Sequence, residues 1–399
     1  MEDWKIRSFS AGEKMNEIVQ KVRASFLEKF GREPVLISSP GRINLIGEHT
    51  DYNEGFVLPG ATDRAIILAI APREDDICRF HAFDFNQDFS TSLGCLQKSD
   101  LHWPDYLQGV LAVFLQAGYR IRGLDLAFGG NIPIGGGMSS SAAIEGGLAF
   151  ALNYLYDLQL DRLTLARLAR QAENDFVGVK CGIMDMFANL FGQAKSVIKL
   201  DCRSLEFDYY PFDWEEVRVV VSDSLVRRAL AASEYNLRRQ QCEAGVNILQ
   251  QYYPQIKSLR DVTLTRLVAH QTELDPVVFK RCVYVIKENQ RVEQACQDLL
   301  RRDLVSFGQR MYESHLGLRN EYEVSCRELD LLVESAARVE GVYGSRMMGA
   351  GFGGCTISLV RSEAVDSFTE KVSADYRQAT GQEPAIHVVR IEAGTHIIQ

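Results

Sequence analysis

No two of the nine cysteines form a CxxC pair. Scattered cysteines in odd number speak against a disulfide framework and against a zinc site, and they fit a reducing compartment. Long apolar runs are missing as well. The most apolar stretch, "RAIILAIAP", is bounded by charge and too short to span a bilayer. The first residues, "MEDWKIRSFSAGEKMNEIVQK", are polar without an apolar centre, so no secretory signal is read there. There is no internal repeat, low-complexity tract or long Pro/Gly linker. A net charge of −9 leaves no basic stripe for nucleic acid. Pairs such as Arg238-Arg239 and Arg301-Arg302 read as solvated helix faces. The expectation is a cytoplasmic protein with neither membrane nor nucleic-acid partners.

What remains is an ordinary globular composition, 46% hydrophobic and 24% charged over 399 residues, a length that suits about two domains. Ile18, Val22, Phe26 and Phe30 recur at helical spacing over residues 11–30, and Gly31 ends that helix. "PVLISS", "AIILAIAP", "DLAFGGNIP" and "SVIKLDC" read as strands, the second apolar enough to be central in its sheet. "SAAIEGGLAFALNYLYDL" predicts a long buried helix, and residues 162–177 a second one. After about residue 205 the texture changes: a strand "VRVVVSDS", a mostly helical stretch over 229–340, then strands "CTISLV" and "AIHVVRI". The fold class is α+β in two parts, 1–205 and 206–399, with a small-molecule site expected between them.

Glycine is concentrated in two places. "IPIGGGMSSSAA", residues 132–143, runs three glycines into three serines and then a helix. Glycines let backbone approach a ligand, and the helix start offers free N–H groups, so phosphate is the natural occupant. A tight turn with serine caps and no ligand is the plainer alternative. The lysine of a P-loop is missing, so another group, Mg²⁺ above all, must neutralise phosphate charge. "GAGFGG", residues 349–354, satisfies G-x-G-x-x-G but precedes a strand instead of a helix, which removes the dinucleotide reading. It reads as a loop closing over a ligand or packing against the first turn, or as a simple hairpin cluster.

Two polar features stand out against apolar surroundings. "PGRINLIGEHTDYNEGFVLPG", residues 40–60, gathers Arg42, Glu48, His49 and Asp51. So many acceptors in one short loop suit a ligand rich in hydroxyls, such as a sugar. One histidine and two carboxylates fit no common metal spacing. In "CGIMDMFANLFG", Asp185 is alone among apolar residues. Either it caps a helix, or it is a base held ionised by an arginine, for which Arg42 is the candidate.

Together these segments resemble the galactokinases of the GHMP kinase superfamily. "GRINLIGEHTDYNEGFVLPGA", "IPIGGGMSSSAA" and "GAGFGGC" match its three motifs, with "CGIMD", "LDCRSLE", "SEYNLRRQQCE" and "SHLGLRNEYEVSCRELD" between and after them. The resemblance implies a two-domain GHMP fold, a ribosomal-S5-like N-terminal domain followed by an α+β domain. It implies transfer of the γ-phosphate of ATP to the anomeric hydroxyl of galactose. Asp185 would be the base and Arg42 its orienting partner. Glu48, His49, Thr50, Asp51 and Tyr235 would bind the sugar. Gly135, Gly136, Gly137, Met138, Ser139, Ser140 and Ser141 would wrap the ATP phosphates, with Ser141 and Glu173 holding Mg²⁺. Trp103 and Tyr106 would lie near the nucleotide base. A monomer is expected, with only the sugar and ATP as partners.

Some positions depart from that pattern. Met186 stands where glutamine is usual, Met348 where threonine is usual, Asn320 where aspartate is usual, and "LVRRAL" lacks a common histidine. The expectation is that these cluster near the site and bear on sugar choice. N-acetylgalactosamine, galacturonate or arabinose are alternative substrates, and a non-catalytic sensor of ATP and sugar is an alternative of another class.

Overall fold

The computed structural model describes residues 11–133, 135–227 and 231–398. The polar stretch 1–10, Ile134 of the glycine-serine turn and the last three residues of "LVRRAL" lie outside them.

A six-stranded sheet organises the first part. Its spatial order is His396–Ile397, Val35–Asn44, Pro59–Pro72, Leu124–Gly130, Ile77–Ala82, Gln87–Ser92, antiparallel except for the Ile77–Ala82 and Leu124–Gly130 pair. The Pro59–Pro72 strand explains its own sequence. Its side chains alternate faces, and both faces are covered. Ile67, Ala69 and Ala71 pack with Val22 and Phe26 of the Ala11–Phe30 helix. Ile66, Leu68 and Ile70 enter the main core with Leu148, Ala149 and Leu152 of the Ser140–Leu155 helix. From residue 65 to 71 the strand is buried on both sides and carries no polar residue, hence the continuous apolar run.

The second part contains a four-stranded antiparallel sheet ordered Val342–Met348, Cys355–Arg361, Val217–Asp223, Ala385–Val389. Helices Ala231–Gln250, Pro276–Leu300, Leu304–Asn320 and Arg327–Ala336 fill most of the stretch expected to be helical. A third, three-stranded sheet is formed by Phe56–Val57, Ser196–Asp201 and Phe207–Pro211. The architecture is α+β in two parts. Its last residues return to the first sheet, where Ile397 pairs with Ile37. Thr395 is buried there, its hydroxyl within 3.2 Å of Ser39 Oγ and 2.9 Å from Asn189 Oδ1. No helix among the described residues is long and apolar enough to cross a membrane.

One local feature differs from the sequence reading. The second helix is regular only over Arg162–Gln171, and residues Ala172–Val177 form a wider π-type turn ending at Gly178. Such turns displace a side chain from the α-helical register and occur often at functional positions. This one carries Glu173.

Candidate active site

The strand Val35–Asn44 has an irregularity between Pro40 and Arg42, which turns Arg42 out of the regular pleat. Arg42 donates from Nε to Asp185 Oδ1 at 2.8 Å and from Nη2 to Asp185 Oδ2 at 3.0 Å. Its third nitrogen, Nη1, donates to the carbonyl of Gly137 at 2.5 Å, and its backbone N–H to Met138 at 3.1 Å. Burial disfavours the guanidinium charge, but Asp185 and Glu48 outweigh it, so the pKa of Arg42 is raised. One arginine thus joins the lone aspartate to the glycine-serine turn.

The turn is shaped for close approach. Gly137 has φ +72°, and a Cβ there would lie 2.8 Å from Cys355 Sγ. Ser139, at the helix N-cap, is also left-handed at φ +57° and makes no capping bond. Its hydroxyl donates to Asp185 Oδ2 at 2.5 Å instead. The plainer reading of the serines as helix caps therefore fails for Ser139, and the first N–H groups of the Ser140–Leu155 helix are not capped by it. Asp185 itself lies in the first turn of the Met184–Phe191 helix, whose N-cap is Ile183, so it is not a capping residue either. It accepts three side-chain hydrogen bonds and keeps 28% of its side chain exposed.

A cavity of about 600 Å³ opens over these groups. Around it are Arg42, Asp185, the turn from Gly135 to Ser141, Glu48, His49, Asp51, Tyr235 and Glu173, together with the loop Gly349–Gly354. That second glycine loop connects two antiparallel strands and packs on the first: a Cβ on Gly349 would meet the Gly137 carbonyl at 3.4 Å. At one end, Trp103, Tyr106, Phe85 and Phe128 give the cavity an aromatic wall. Trp103 is fixed by its indole N–H, which donates to Gln87 Oε1 at 2.8 Å.

The polar loop after residue 44 divides its residues between cavity and framework. Asp51 faces the cavity with no cationic partner among the described residues. Its Oδ1 accepts the Tyr52 N–H at 2.9 Å, and burial followed by the charge of Asp185 pushes its pKa up to about 7. Glu48 borders the cavity, but its Oε1 is occupied by Arg346 Nη2 at 3.0 Å and the Gly349 N–H at 2.9 Å. His49 donates from Nε2 to the Ala350 carbonyl at 3.1 Å, which leaves Nδ1 to accept the Tyr52 hydroxyl at 2.7 Å. Burial lowers its pKa to about 3, so the ring stays neutral. Tyr235 packs beside it, with ring centroids 5.3 Å apart. Thr50 is not brought to the cavity. It is fully buried and its hydroxyl is shared between the carbonyls of Gly47 at 2.8 Å and Phe56 at 2.6 Å.

Glu173 meets Ser141 across the cavity floor. It accepts hydrogen bonds from Ser141 and from Cys181 Sγ, the latter at 3.3 Å, and burial, then Asp185, raises its pKa to about 7. Among the described residues no group of three or more His, Cys, Asp or Glu side chains converges on one metal position.

Sequence reasoning missed two arginines. Arg346, fully buried, donates to the carbonyls of Asn44 at 2.6 Å and Leu45 at 2.8 Å as well as to Glu48, and so ties the second part of the chain to the polar loop. Arg227 holds Asp223 through two bonds of 2.9 and 2.6 Å and borders the cavity beside Gly135. The unusual residues also do not cluster as expected. Met348 lines the cavity, and its sulfur accepts the Asn44 N–H at 3.3 Å. Met186 is fully buried in the main apolar core. Asn320 is exposed at the end of its helix, away from the cavity lining.

Comparison with known proteins agrees with this geometry. Residues 24–72 match the model of the galactokinase galactose-binding signature, residues 105–193 the GHMP kinase N-terminal domain, and residues 295–378 the GHMP kinase C-terminal domain. The chain is 44% identical to a galactokinase of Roseiflexus sp. over 94% of its length and 96% of that protein. It is 40% identical to one of Clostridium perfringens over 94% of its length and 98% of that protein. The crystal structure of Lactococcus lactis galactokinase complexed with galactose superimposes with a TM-score of 0.92 at 34% identity, covering 96% of this chain and all of that one. Likeness at this level, carried through both parts of the fold, makes the chain a member of the galactokinase family of GHMP kinases.

Proposed function

We propose that the protein transfers the γ-phosphoryl group of ATP to the C1 hydroxyl of galactose, yielding galactose 1-phosphate and ADP. The observation that carries the reading is Asp185, partly open to the cavity, gripped by Arg42 and by Ser139 of the phosphate turn. A base beside the sugar and a donor-rich turn around the phosphates are what in-line phosphoryl transfer asks of a protein.

In this reading the sugar lies against Asp51, His49, Tyr235 and the open side of Glu48, with its C1 hydroxyl toward Asp185. That carboxylate accepts the hydroxyl proton as the new O–P bond forms and the bond to the β-phosphate oxygen breaks, with ADP leaving. Arg42 keeps positive charge beside the transferring group. The turn Gly135 to Ser141, with Gly136, Gly137, Met138 and Ser140, receives the phosphates through its backbone N–H groups other than that of Gly136, which donates to the Pro133 carbonyl at 3.0 Å. The aromatic wall of Trp103 and Tyr106 takes the adenine.

The donors also suit a hard divalent cation. Ser141 and Glu173 are paired oxygen donors, and the fully buried Glu145 beside them has, among the described residues, no hydrogen-bond donor on either carboxylate oxygen. Ser141 and Glu173 would hold Mg²⁺, which is usually held by one or two protein groups with phosphates and water completing its shell. Bound there, it would neutralise phosphate charge during transfer. A cytoplasmic setting is proposed with this activity, since all nine cysteines are free thiols, and a monomer is proposed alongside it.

The test is ADP release from Mg-ATP with galactose, N-acetylgalactosamine, galacturonate, arabinose and glucose. Turnover with galactose above all others is the expected result. Turnover with a different sugar would move the specificity, and ATP binding without turnover on any sugar would leave a sensor.

A further inference from the structure

Glu145 lies one helical turn after Ser141 on the Ser140–Leu155 helix, so the two side chains leave the same face. Nothing in its surroundings calls for an acid. Around it on the helix, Ala142, Ala143, Gly146, Gly147 and Leu148 are buried and Ile144 is half-buried. Glu145 is fully buried too, yet no group among the described residues donates to either of its oxygens. Burying an acceptor without a donor is costly, and burying a charge without a partner more so. Its neighbour is a second carboxyl group, that of Glu173, within hydrogen-bonding reach, and Asp185 adds further negative charge. Arg42 does not relieve this, because its three nitrogens are taken by Asp185 and Gly137. Glu145 is therefore short of a donor among the described residues.

We propose that Glu145 is an outer carboxylate of the divalent-cation site, accepting a hydrogen bond from a water on the cation held by Ser141 and Glu173. The proposal rests on the reading of Ser141 and Glu173 as cation ligands. It makes Glu145 a positioning residue, since it touches neither the sugar nor the transferring phosphoryl group. The buried Glu145 beside Glu173 then has a purpose, and its missing donor is supplied by the hydrated cation. Outer partners of this kind typically change metal affinity by about 10- to 100-fold.

The experiment is titration of the protein with Mn²⁺ in the presence of ADP, read by electron paramagnetic resonance. Wild type, Glu145→Gln, Glu145→Asp and Glu173→Ala are compared. The expected result is that Glu145→Gln weakens Mn²⁺ binding by about 10- to 100-fold, with ADP binding in the absence of metal unchanged. Glu145→Asp, which restores a carboxylate, should recover part of the loss. It also serves as the test should the glutamine variant fail to fold, weakening Mn²⁺ less than Glu173→Ala does. Equal or tighter Mn²⁺ binding by Glu145→Gln, with binding lost in Glu173→Ala, would overturn the role of Glu145 and leave the cation site standing. Unchanged binding in Glu173→Ala would instead overturn the cation site itself. A purely structural Glu145 would alter thermal stability without moving the Mn²⁺ isotherm.

Discussion

Arg42 and Asp185, 143 residues apart in sequence, face each other through two parallel hydrogen bonds of 2.8 and 3.0 Å. The fork geometry matters because a guanidinium fixes both carboxylate oxygens in one plane, which an ammonium cannot do. Arg42→Lys keeps the charge and loses that fork, together with the bond to Gly137. We expect kcat to fall by about 10- to 100-fold, in line with small misplacements of reacting groups, and galactose KM to change much less. Steady-state kinetics checks this, and an unchanged kcat would show that charge alone suffices.

Asp51 should make sugar binding depend on pH. Its carboxyl, ordinarily near 3.8, is pushed up to about 7. An ionised carboxylate accepts hydroxyl donors better than a neutral one. Galactose KM should therefore fall as pH rises through about 7, and Asp51→Asn should flatten that profile. Stability moves the other way. Between about 4 and 7 the folded protein binds more protons at this site than the unfolded chain, so its contribution to stability declines as pH rises. A KM profile in Asp51→Asn identical to wild type would assign the pH dependence elsewhere.

The buried pair of Arg346 and Glu48 holds the polar loop against the Gly349–Gly354 loop. Removing one member leaves the other charged and buried, at a cost of about 3–5 kcal/mol. Arg346→Met should lower the unfolding free energy by that amount and raise galactose KM, because the Asn44 and Leu45 carbonyls lose their donor. Denaturant unfolding and sugar titration on the same sample test both halves.

The two methionines should separate. Met348 lines the cavity, so Met348→Thr is expected to shift galactose KM and the ranking of sugars. Met186 has no access to the cavity, and Met186→Gln buries an amide in apolar surroundings. It should cost about 1–3 kcal/mol of stability with the ranking of sugars unchanged. A changed ranking in Met186→Gln would contradict the packing role.

Periodicity made much of the first sheet readable. The apolar run ending at Pro72 announced a strand covered on both faces, and Val22 and Phe26 announced the helix that covers one of them. Motif chemistry made Asp185, Arg42 and the turn readable as parts, because a lone carboxylate and a glycine-serine run are improbable without partners. Their meeting was not readable, since spacing carries no information across 143 residues. Thr50 and Asn320 show the same limit from the other side. A hydroxyl inside a polar loop can be spent on its own backbone, and a helix-end residue beside a family motif can point to solvent. Arg346 carried no local signal, because its partners Asn44, Leu45 and Glu48 lie in the other part of the chain. The C-terminal return to Val35–Asn44 rests on a two-residue pairing, too short for any periodic signal.

The most direct test of the account is single-turnover phosphoryl transfer from Mg-ATP to galactose by Asp185→Asn. The amide preserves the shape of the side chain and cannot take a proton. The account predicts that galactose still binds while transfer slows by about 100- to 10,000-fold, the usual contribution of a positioned base. Transfer at the wild-type rate would contradict it and require another base in the cavity.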